Sequence, residues 1–160
     1  MIFITLGSQK FQFNRILEEV DRLIQKGMIT EKVVAQIGAC TYIPKYFEYQ
    51  KFYDREALEN EIDKADIIIT HGGTGAIITS VKKGKKIIAV PRKKKYGEHV
   101  DDHQLEIIRQ FDDLNLICPC YDLESLFEKI NRIREISFAS YSSNTPVIIE
   151  SIERYFEEQK

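Results

Sequence analysis

The stretch "ADIIITHGGTGAIITSVKKGKKIIAVP", Ala65 to Pro91, joins an apolar run, a glycine cluster, a segment of helical length and a second apolar run. Four of the chain's eight glycines lie between Gly72 and Gly84. Both runs are apolar at nearly every position, which is typical of parallel strands covered on both faces. The stretch therefore predicts a strand, a glycine loop, a helix and a second strand.

The rest of the chain repeats this alternation of strand and helix. Further strands are predicted at 1–6, 32–38, 46–53 and 114–119, and further helices at 13–26, 54–64, 101–113, 122–134 and about 145–158. Such alternation implies β-α-β crossovers and a mostly parallel sheet. We therefore predict one α/β domain over residues 1–160, with a Rossmann-like open sheet and helices on both of its faces.

Composition and charge exclude several classes of protein. The chain has 160 residues, 43% of them apolar, and a net charge of −2. No global field attracts it to nucleic acid or to anionic lipid. Its apolar runs are about five residues long, far short of the roughly 20 needed to span a bilayer. The opening "MIFITLGSQ" lacks a basic leader and is predicted to be a strand, not a signal peptide.

Three cysteines, Cys40, Cys118 and Cys120, are too few and too widely spaced for a secreted disulfide framework. Cys118 and Cys120 resemble half of a metal site, but no second cysteine pair or His-x-x-x-His completes it. We therefore predict a cytosolic protein with no bound metal and no cofactor.

The glycine run His71–Gly75 follows a buried strand and leads directly into a helix. At a helix N-terminus, unpaired N–H groups and a partial positive charge attract anions, and glycine lets phosphate oxygens come close. The run therefore predicts a phosphate or diphosphate cradle with donors from Gly73, Thr74, Gly75 and Ala76. The alternative is a tight strand-to-helix turn whose glycines serve packing only.

Two common phosphate motifs are absent from this run. A P-loop requires Gly-Lys-Ser/Thr after its gap, and none follows. A dinucleotide fingerprint requires a third glycine where Ile78 stands, and no acidic residue ends the next strand to hold a ribose.

A second polar cluster, "PRKKKYGEHVDDHQLE", spans residues 91–106 and follows the next strand. Its charges, amides and imidazoles suit a polyhydroxylated ligand that carries phosphate, since hydroxyls need both donors and acceptors. The alternative is a solvated loop with a helix cap at Asp101 or Asp102. His103 and Gln104, at the predicted helix start, favour the binding interpretation.

Together, "ITLGSQKFQFNRIL", "VVAQIGACTYIP", "HGGTG" and "YGEHVDDHQLE" resemble the nucleotide-sugar-binding half of GT-B glycosyltransferases of the family 28 C-terminal-domain type. The resemblance covers nearly the whole chain. It is closest to separately encoded catalytic subunits: those of bacterial capsule and exopolysaccharide transferases, and the subunit that adds the second GlcNAc to dolichol-linked oligosaccharide.

The resemblance implies a UDP-sugar donor and a set of contacts for it. Gly7 and Ser8 match the loop that faces the diphosphate, while Phe52 and Tyr53 match the segment that holds the uracil. His103 and Gln104 match the pair that contacts the donor sugar or ribose. The substrate-binding set is Gly7, Ser8, Phe52, Tyr53, His71, Gly72, Gly73, Thr74, Gly75, Ala76, Thr79, Arg92, Asp102, His103 and Gln104.

Thr79 departs from the family pattern, because many relatives carry a glutamate there to bind the ribose hydroxyls. A threonine can make one such hydrogen bond but not a bidentate contact. This departure weakens the expectation that ribose is bound at this position, and it fits the bacterial polysaccharide branch better than the dolichol branch.

The resemblance also implies an inverting, metal-independent hexosyltransferase that works as half of a complex. The donor hexose, with galactose favoured and GlcNAc second, would pass to a polyprenyl-diphosphate-linked saccharide in capsule or exopolysaccharide synthesis. A membrane-anchored partner subunit would bind that acceptor and hold this chain at the cytoplasmic face of the membrane. Glu98 and His99 are candidates for the catalytic base, which the partner could supply instead.

Three further alternatives stay open. The predicted helix at 145–158 carries an apolar stripe that either packs on its own domain or docks the partner; its members are Val147, Ile148, Ile152, Tyr155 and Phe156. A non-catalytic nucleotide-sugar-binding or scaffolding subunit is the second alternative. A UDP-sugar epimerase is the third, although such chains are about twice as long.

Overall fold

The computed structural model describes residues 1–141, and the predicted helix at 145–158 lies outside these residues. The strands are β1 (Ile2–Thr5), β2 (Val33–Gln36), β3 (Glu48–Gln50), β4 (Ile67–Thr70), β5 (Lys86–Ala89) and β6 (Cys118–Pro119). The α-helices are α1 (Asn14–Gln25), α2 (Arg55–Lys64), α3 (Thr74–Lys82), α4 (His103–Asp113) and α5 (Leu126–Arg132). Short 3-10 turns occur at Lys94–Tyr96 and Leu123–Ser125.

All six strands pair in parallel in the order β3-β2-β1-β4-β5-β6. The chain first builds outward from β1 to β3 and then returns to add β4 on the other side of β1. The order therefore reverses between β1 and β4, and a crevice opens there at the carboxyl ends of the strands. This topology confirms the predicted Rossmann-like α/β fold.

Two apolar clusters cover the two faces of the sheet. One cluster joins α1 and α5 to residues such as Ile2 and Ile4 of β1. The other joins α2, α3 and α4 to residues such as Phe3 of β1 and Ile68 of β4. Neighbouring residues of one strand point to opposite faces, so strands that are apolar throughout supply both clusters.

Asp54 caps α2 as its residue type suggests, because its carboxylate accepts a hydrogen bond from the Ala57 amide at 2.8 Å. Two strands are shorter than predicted. β3 is an exposed edge strand of three residues that pairs with β2 alone. The prediction of a strand from residue 114 was wrong: Leu114 and Asn115 end α4, with Asn115 in the left-handed region at φ 54°.

The start of α4 also differs from the prediction. The helix begins at His103 and not at Asp101. Asp102 is the N-cap, without a side-chain cap, and the Asp101 carboxylate before it accepts a hydrogen bond from the His103 amide at 3.1 Å.

Candidate functional site

The loops after β1 and β4 face each other across the crevice where the strand order reverses. Thr5 and Thr70, the last residues of these strands, are paired in the sheet register. Leu6, Gly7 and Ser8 follow the first strand, and the glycine run His71–Gly75 follows the second. The structure therefore brings together the two predicted diphosphate-facing loops at the place where open α/β sheets bind ligands.

The imidazole of His71 fills the space between these loops. A Cβ added to Gly7 would lie 2.7 Å from its Cε1, and one added to Gly73 would lie 2.4 Å from its Nε2. Its Nδ1 lies 3.3 Å from the Thr5 carbonyl oxygen. Two of the glycines in these loops are therefore needed to house an aromatic side chain, a packing role that the predicted cradle did not include.

Burial makes His71 a neutral side chain. Desolvation, and secondly the charge of Arg92, lower the pKa of His71 from 6.5 to about 4. With Nδ1 donating to Thr5, the ring presents Nε2 as an acceptor near Gly73. His71 therefore shapes the loop and adds no positive charge to it at neutral pH.

The first turn of α3 presents backbone donors. Gly73 is the N-cap of α3, and no side chain caps the helix there. The Gly73 carbonyl accepts the helical hydrogen bond from the Ile77 amide at 3.1 Å. Helix geometry leaves the preceding amides, those of Thr74, Gly75 and Ala76, without helical partners. Gly75 is exposed, and a Cβ added to it would meet no atom within 4 Å. These donors therefore lie beside open space.

Arg92 places a buried guanidinium next to the loop after β1. The side chain is 1% exposed, and its Nη2 donates to the Leu6 carbonyl at 2.7 Å. Within residues 1–141, its Nε and Nη1 have no hydrogen-bond partner, and no carboxylate forms an ion pair with it. The Phe13 ring, 5.7 Å from the guanidinium carbon, and the charge of Glu98 offset part of the cost of burying this group. Because two of its nitrogens lack partners, the guanidinium still favours an anion nearby.

The basic loop after β5 is largely held by internal contacts. Glu98, 1% exposed, binds Arg15 through two hydrogen bonds of 2.6 and 3.0 Å and accepts another from the Lys93 amide at 2.8 Å. The Asp102 carboxylate accepts a hydrogen bond from the Lys94 amide at 3.0 Å. The lysine side chains at 94 and 95 are exposed. Much of the polar cluster therefore shapes its own loop.

His103 and Gln104 differ in their surroundings. The imidazole of His103 is exposed, whereas Gln104 is buried and its Oε1 accepts a hydrogen bond from the Arg92 amide at 3.2 Å. Gln104 thus fixes the loop that carries Arg92. A contact of either residue with a donor sugar remains a prediction.

The predicted uracil segment lies at the same edge of the sheet, beyond β2. Phe52 is 53% exposed, while Tyr53 packs edge-on against Phe3 with ring centroids 6.0 Å apart. The Tyr53 amide already donates to the Gln36 side chain at 3.0 Å. Thr79 is half-buried within α3. Uracil and ribose binding by these residues remain predictions.

Sequence reasoning missed two residues of this region, Arg15 and Asp101. Arg15 lies on α1 among apolar residues, and its partner Glu98 is 83 positions away, so no local pattern marked the pair. Asp101 was considered as a member of the polar cluster 91–106 or as a helix cap, but not as a site residue; it contacts His99 through a 3.0 Å hydrogen bond. The spacing His99-x-Asp101-x-His103 was the signal that could have indicated this cluster.

The chain matches a known protein family along nearly its whole length. Residues 1–153 match the family described as "Glycosyltransferase family 28 C-terminal domain". The fold is also similar to the calicheamicin glycosyltransferase CalG4, with a TM-score of 0.59 and 20% identity over 85% of this chain and 34% of that one. The fold agrees with the predicted donor-binding half of a GT-B enzyme.

Relatives of this chain include proteins named "UDP-N-acetylglucosamine transferase subunit ALG13". The protein of Homo sapiens is 28% identical over 116 residues, which is 68% of this chain and 10% of that protein. The protein of Candida albicans is 39% identical over 70 residues, which is 44% of this chain and 22% of that protein. This chain therefore corresponds to a small part of each relative.

Proposed function

This chain belongs to the glycosyltransferase family 28 C-terminal domain family, and we propose that it is the donor-binding subunit of a UDP-sugar-dependent glycosyltransferase. In this proposal it transfers a hexose, with inversion at the anomeric carbon, to a saccharide carried on a polyprenyl diphosphate. A membrane-anchored partner subunit supplies the acceptor site. Within residues 1–141, no helix is both long enough and apolar enough to cross a membrane.

The observation that carries the proposal is the concentration of unpaired hydrogen-bond donors where the strand order reverses. The amides of the first turn of α3 face open space, and the buried guanidinium of Arg92 is hydrogen-bonded to the Leu6 carbonyl of the loop across the crevice. A diphosphate matches this arrangement because it offers several acceptor oxygens and negative charge. The glycine at position 75 leaves room for those oxygens.

The same groups would assist the departure of the nucleoside diphosphate. As the bond between the anomeric carbon and the phosphate oxygen breaks, negative charge grows on that oxygen. Preorganised donors at such a position stabilise the transition state more than the ground state. Arg92 would contribute charge and the α3 amides would contribute hydrogen bonds, while neutral His71 would hold Gly7 and Gly73 apart.

The identity of the donor sugar is the more specific part of the proposal. The names of the relatives support N-acetylglucosamine as the first sugar to test. By contrast, Thr79 and the basic cluster that follows β5 resemble the bacterial capsule and exopolysaccharide enzymes. Galactose, the sugar favoured for that branch, is therefore the second sugar to test. We keep assembly of a surface polysaccharide at the cytoplasmic face of the membrane as the proposed setting.

A thermal-shift experiment tests the nucleotide site without a partner. UDP should raise the melting temperature of the chain, because a ligand that binds only the folded state stabilises it by mass action. Uridine should have a much smaller effect, since it lacks the diphosphate. Gly75→Leu should abolish the response to UDP while the unliganded melting temperature changes little.

A transfer assay separates the catalytic role from a scaffolding role. The chain, purified together with its partner subunit, would be given UDP-GlcNAc or UDP-galactose and a lipid-diphosphate monosaccharide. We expect product formation that Gly75→Leu removes. Full activity of the Gly75→Leu complex would contradict the catalytic proposal and favour a scaffolding subunit. No melting shift of the wild-type chain at millimolar UDP would contradict the nucleotide site itself.

A further inference from the structure

An imidazole and a carboxylate form a pair on the loop between β5 and α4. Nδ1 of His99 lies 3.0 Å from Oδ1 of Asp101. The His99 ring is packed against Phe11, with centroids 5.3 Å apart, and 15% of the side chain remains exposed. The ring is therefore held in one orientation and still reaches solvent.

This pair lies beside the proposed diphosphate site. β5 is the sheet neighbour of β4, so the loop that follows β5 leaves the sheet next to the glycine run. His99 is also close enough to His71 to act on its ionisation. A sugar attached to the diphosphate would extend from the glycine run toward the neighbouring loops, of which this is one.

The orientation of His99 leaves one ring nitrogen available. A charge-assisted hydrogen bond from Nδ1–H to the carboxylate is the stronger of the two contacts at Nδ1, because the Asp101 amide is 3.4 Å away. The neutral ring then carries its lone pair on Nε2, for which residues 1–141 provide no hydrogen-bond partner. This is the tautomer that a general base requires.

Asp101 is suited to hold that tautomer. Its Oδ1 also accepts from the His103 amide at 3.1 Å, and its Oδ2 lies 3.9 Å from Nε2 of His103. Burial alone would raise the pKa of Asp101, but the His103 amide and the two imidazoles outweigh it, so the pKa is lowered. The group is therefore a carboxylate at neutral pH.

The other candidate base, Glu98, is committed elsewhere. Both of its oxygens bind Arg15, and one also accepts from the Lys93 amide. With the side chain buried and paired to a cation, neither oxygen can reach an acceptor hydroxyl. The two neighbouring residues thus differ in the one property that a base needs, an accessible lone pair.

We infer that Nε2 of His99 is the general base of the transfer reaction and that Asp101 is its positioning residue; this inference rests on the proposed function. The acceptor hydroxyl oxygen forms a bond to the anomeric carbon of the donor sugar while its proton passes to Nε2. The bond between that carbon and the phosphate oxygen breaks, and its electron pair leaves on UDP. The imidazolium then releases the proton to water.

The test uses the chain purified together with its partner subunit, with kinetics measured for the UDP-sugar that the wild type transfers. His99→Gln should lower kcat by about 10²–10⁴-fold, the usual contribution of general base catalysis, while KM for the donor changes by less than about threefold. Asp101→Asn should also lower kcat, by about tenfold or more, because the ring is no longer held in the right tautomer. Asp113→Asn, an exposed carboxylate at the far end of the helix that follows this loop, is the matched control and should retain wild-type kcat.

Chemical rescue distinguishes a catalytic imidazole from a structural one. Added imidazole should restore part of the kcat of His99→Ala and leave the kcat of Asp113→Asn unchanged. The UDP-induced melting shift of His99→Gln should equal that of the wild type, which shows that the variant is folded and binds nucleotide. Wild-type kcat in His99→Gln, or an inactive His99→Ala that imidazole does not rescue although UDP still binds, would overturn the inference alone. A wild-type complex that neither binds UDP nor transfers sugar would overturn the proposed function and this inference together.

Discussion

The loops that follow β4 and β5 lie side by side but differ in their charge and in how open their polar groups are. The first, His71–Gly75, carries almost no charge, and its amides beside Gly75 are open. The second, residues 91–102, is rich in charge, but Glu98, Asp102 and Arg92 are bound to neighbouring groups of the same edge of the sheet. A high density of charge in the sequence thus marks the scaffold here, and bare backbone marks the open site.

The largest effect expected from this contrast concerns the charged loop. Glu98→Gln should lower the free energy of unfolding by about 3–5 kcal/mol, because it leaves Arg15 facing an amide N–H group without its anion. Denaturant unfolding measures the change. Asp122→Asn is the matched control: its ion pair with Lys93 is 3.5 Å long and exposed, and it should cost less than about 0.5 kcal/mol. Equal losses of unfolding free energy in the two variants would contradict the structural role assigned to Glu98.

The second effect concerns His71 in the glycine loop. The pKa of His71 is about 4 in the folded chain and 6.5 in the unfolded one, so the unfolded state takes up the proton first. Its contribution is complete above pH 6.5 and is lost as the pH falls toward 4, about 3 kcal/mol in all.

Denaturant unfolding of the wild type and of His71→Gln across this pH range measures that contribution. The carboxylates titrate in both proteins, so the difference between their slopes isolates His71. The wild type should lose about 3 kcal/mol more than the variant. Parallel slopes would mean that the imidazole is not buried between Gly7 and Gly73.

The smallest effect separates two glycines of the same loop. Gly73→Ala should destabilise the chain by about 1–3 kcal/mol, because its Cβ would meet the His71 ring. Gly75→Ala should leave stability within about 1 kcal/mol, since its Cβ meets no atom and alanine favours a helix. UDP affinity should nevertheless fall about tenfold in Gly75→Ala, where the methyl occupies the space for phosphate oxygens.

Calorimetry of UDP binding and denaturant unfolding, applied to both glycine variants, check this prediction. An unstable Gly75→Ala, or a Gly73→Ala as stable as the wild type, would show that the packing of the loop differs from the one described.

The sequence was sufficient to predict the sheet, its parallel strands and the position of the glycine loop, because strand periodicity and glycine placement are local properties. It also indicated that Arg92 and His71 would lie at this edge of the sheet, while their contact with a ligand stays a prediction. It could not show that His71 lies against Gly7, since that contact joins two loops that are distant in the sequence and depends on the strand order. Nor could it separate Glu98 from His99. The two residues are adjacent, and only the packing of α1, which brings Arg15 to Glu98, distinguishes them.

The two shortened strands have the same explanation. The alternation in "YFEYQKFY" predicts a longer strand, but only three residues find a partner, because β3 is the edge of the sheet. "LNLICP" is apolar enough for a strand, yet its first two residues complete the last turn of α4. In both places the local preference for a strand was outweighed by the surroundings: β3 has no strand on its outer side, and residues 114 and 115 are hydrogen-bonded to α4.

Amide-resolved NMR spectra of the chain during titration with UDP, and separately with uridine, test the central claim most directly. If main-chain donors of the first turn of α3 hold the diphosphate, the amide resonances of Gly73, Thr74, Gly75 and Ala76 will shift with UDP and remain nearly unchanged with uridine. Binding of UDP that leaves these four resonances in place, or shifts them equally with uridine, would contradict the account.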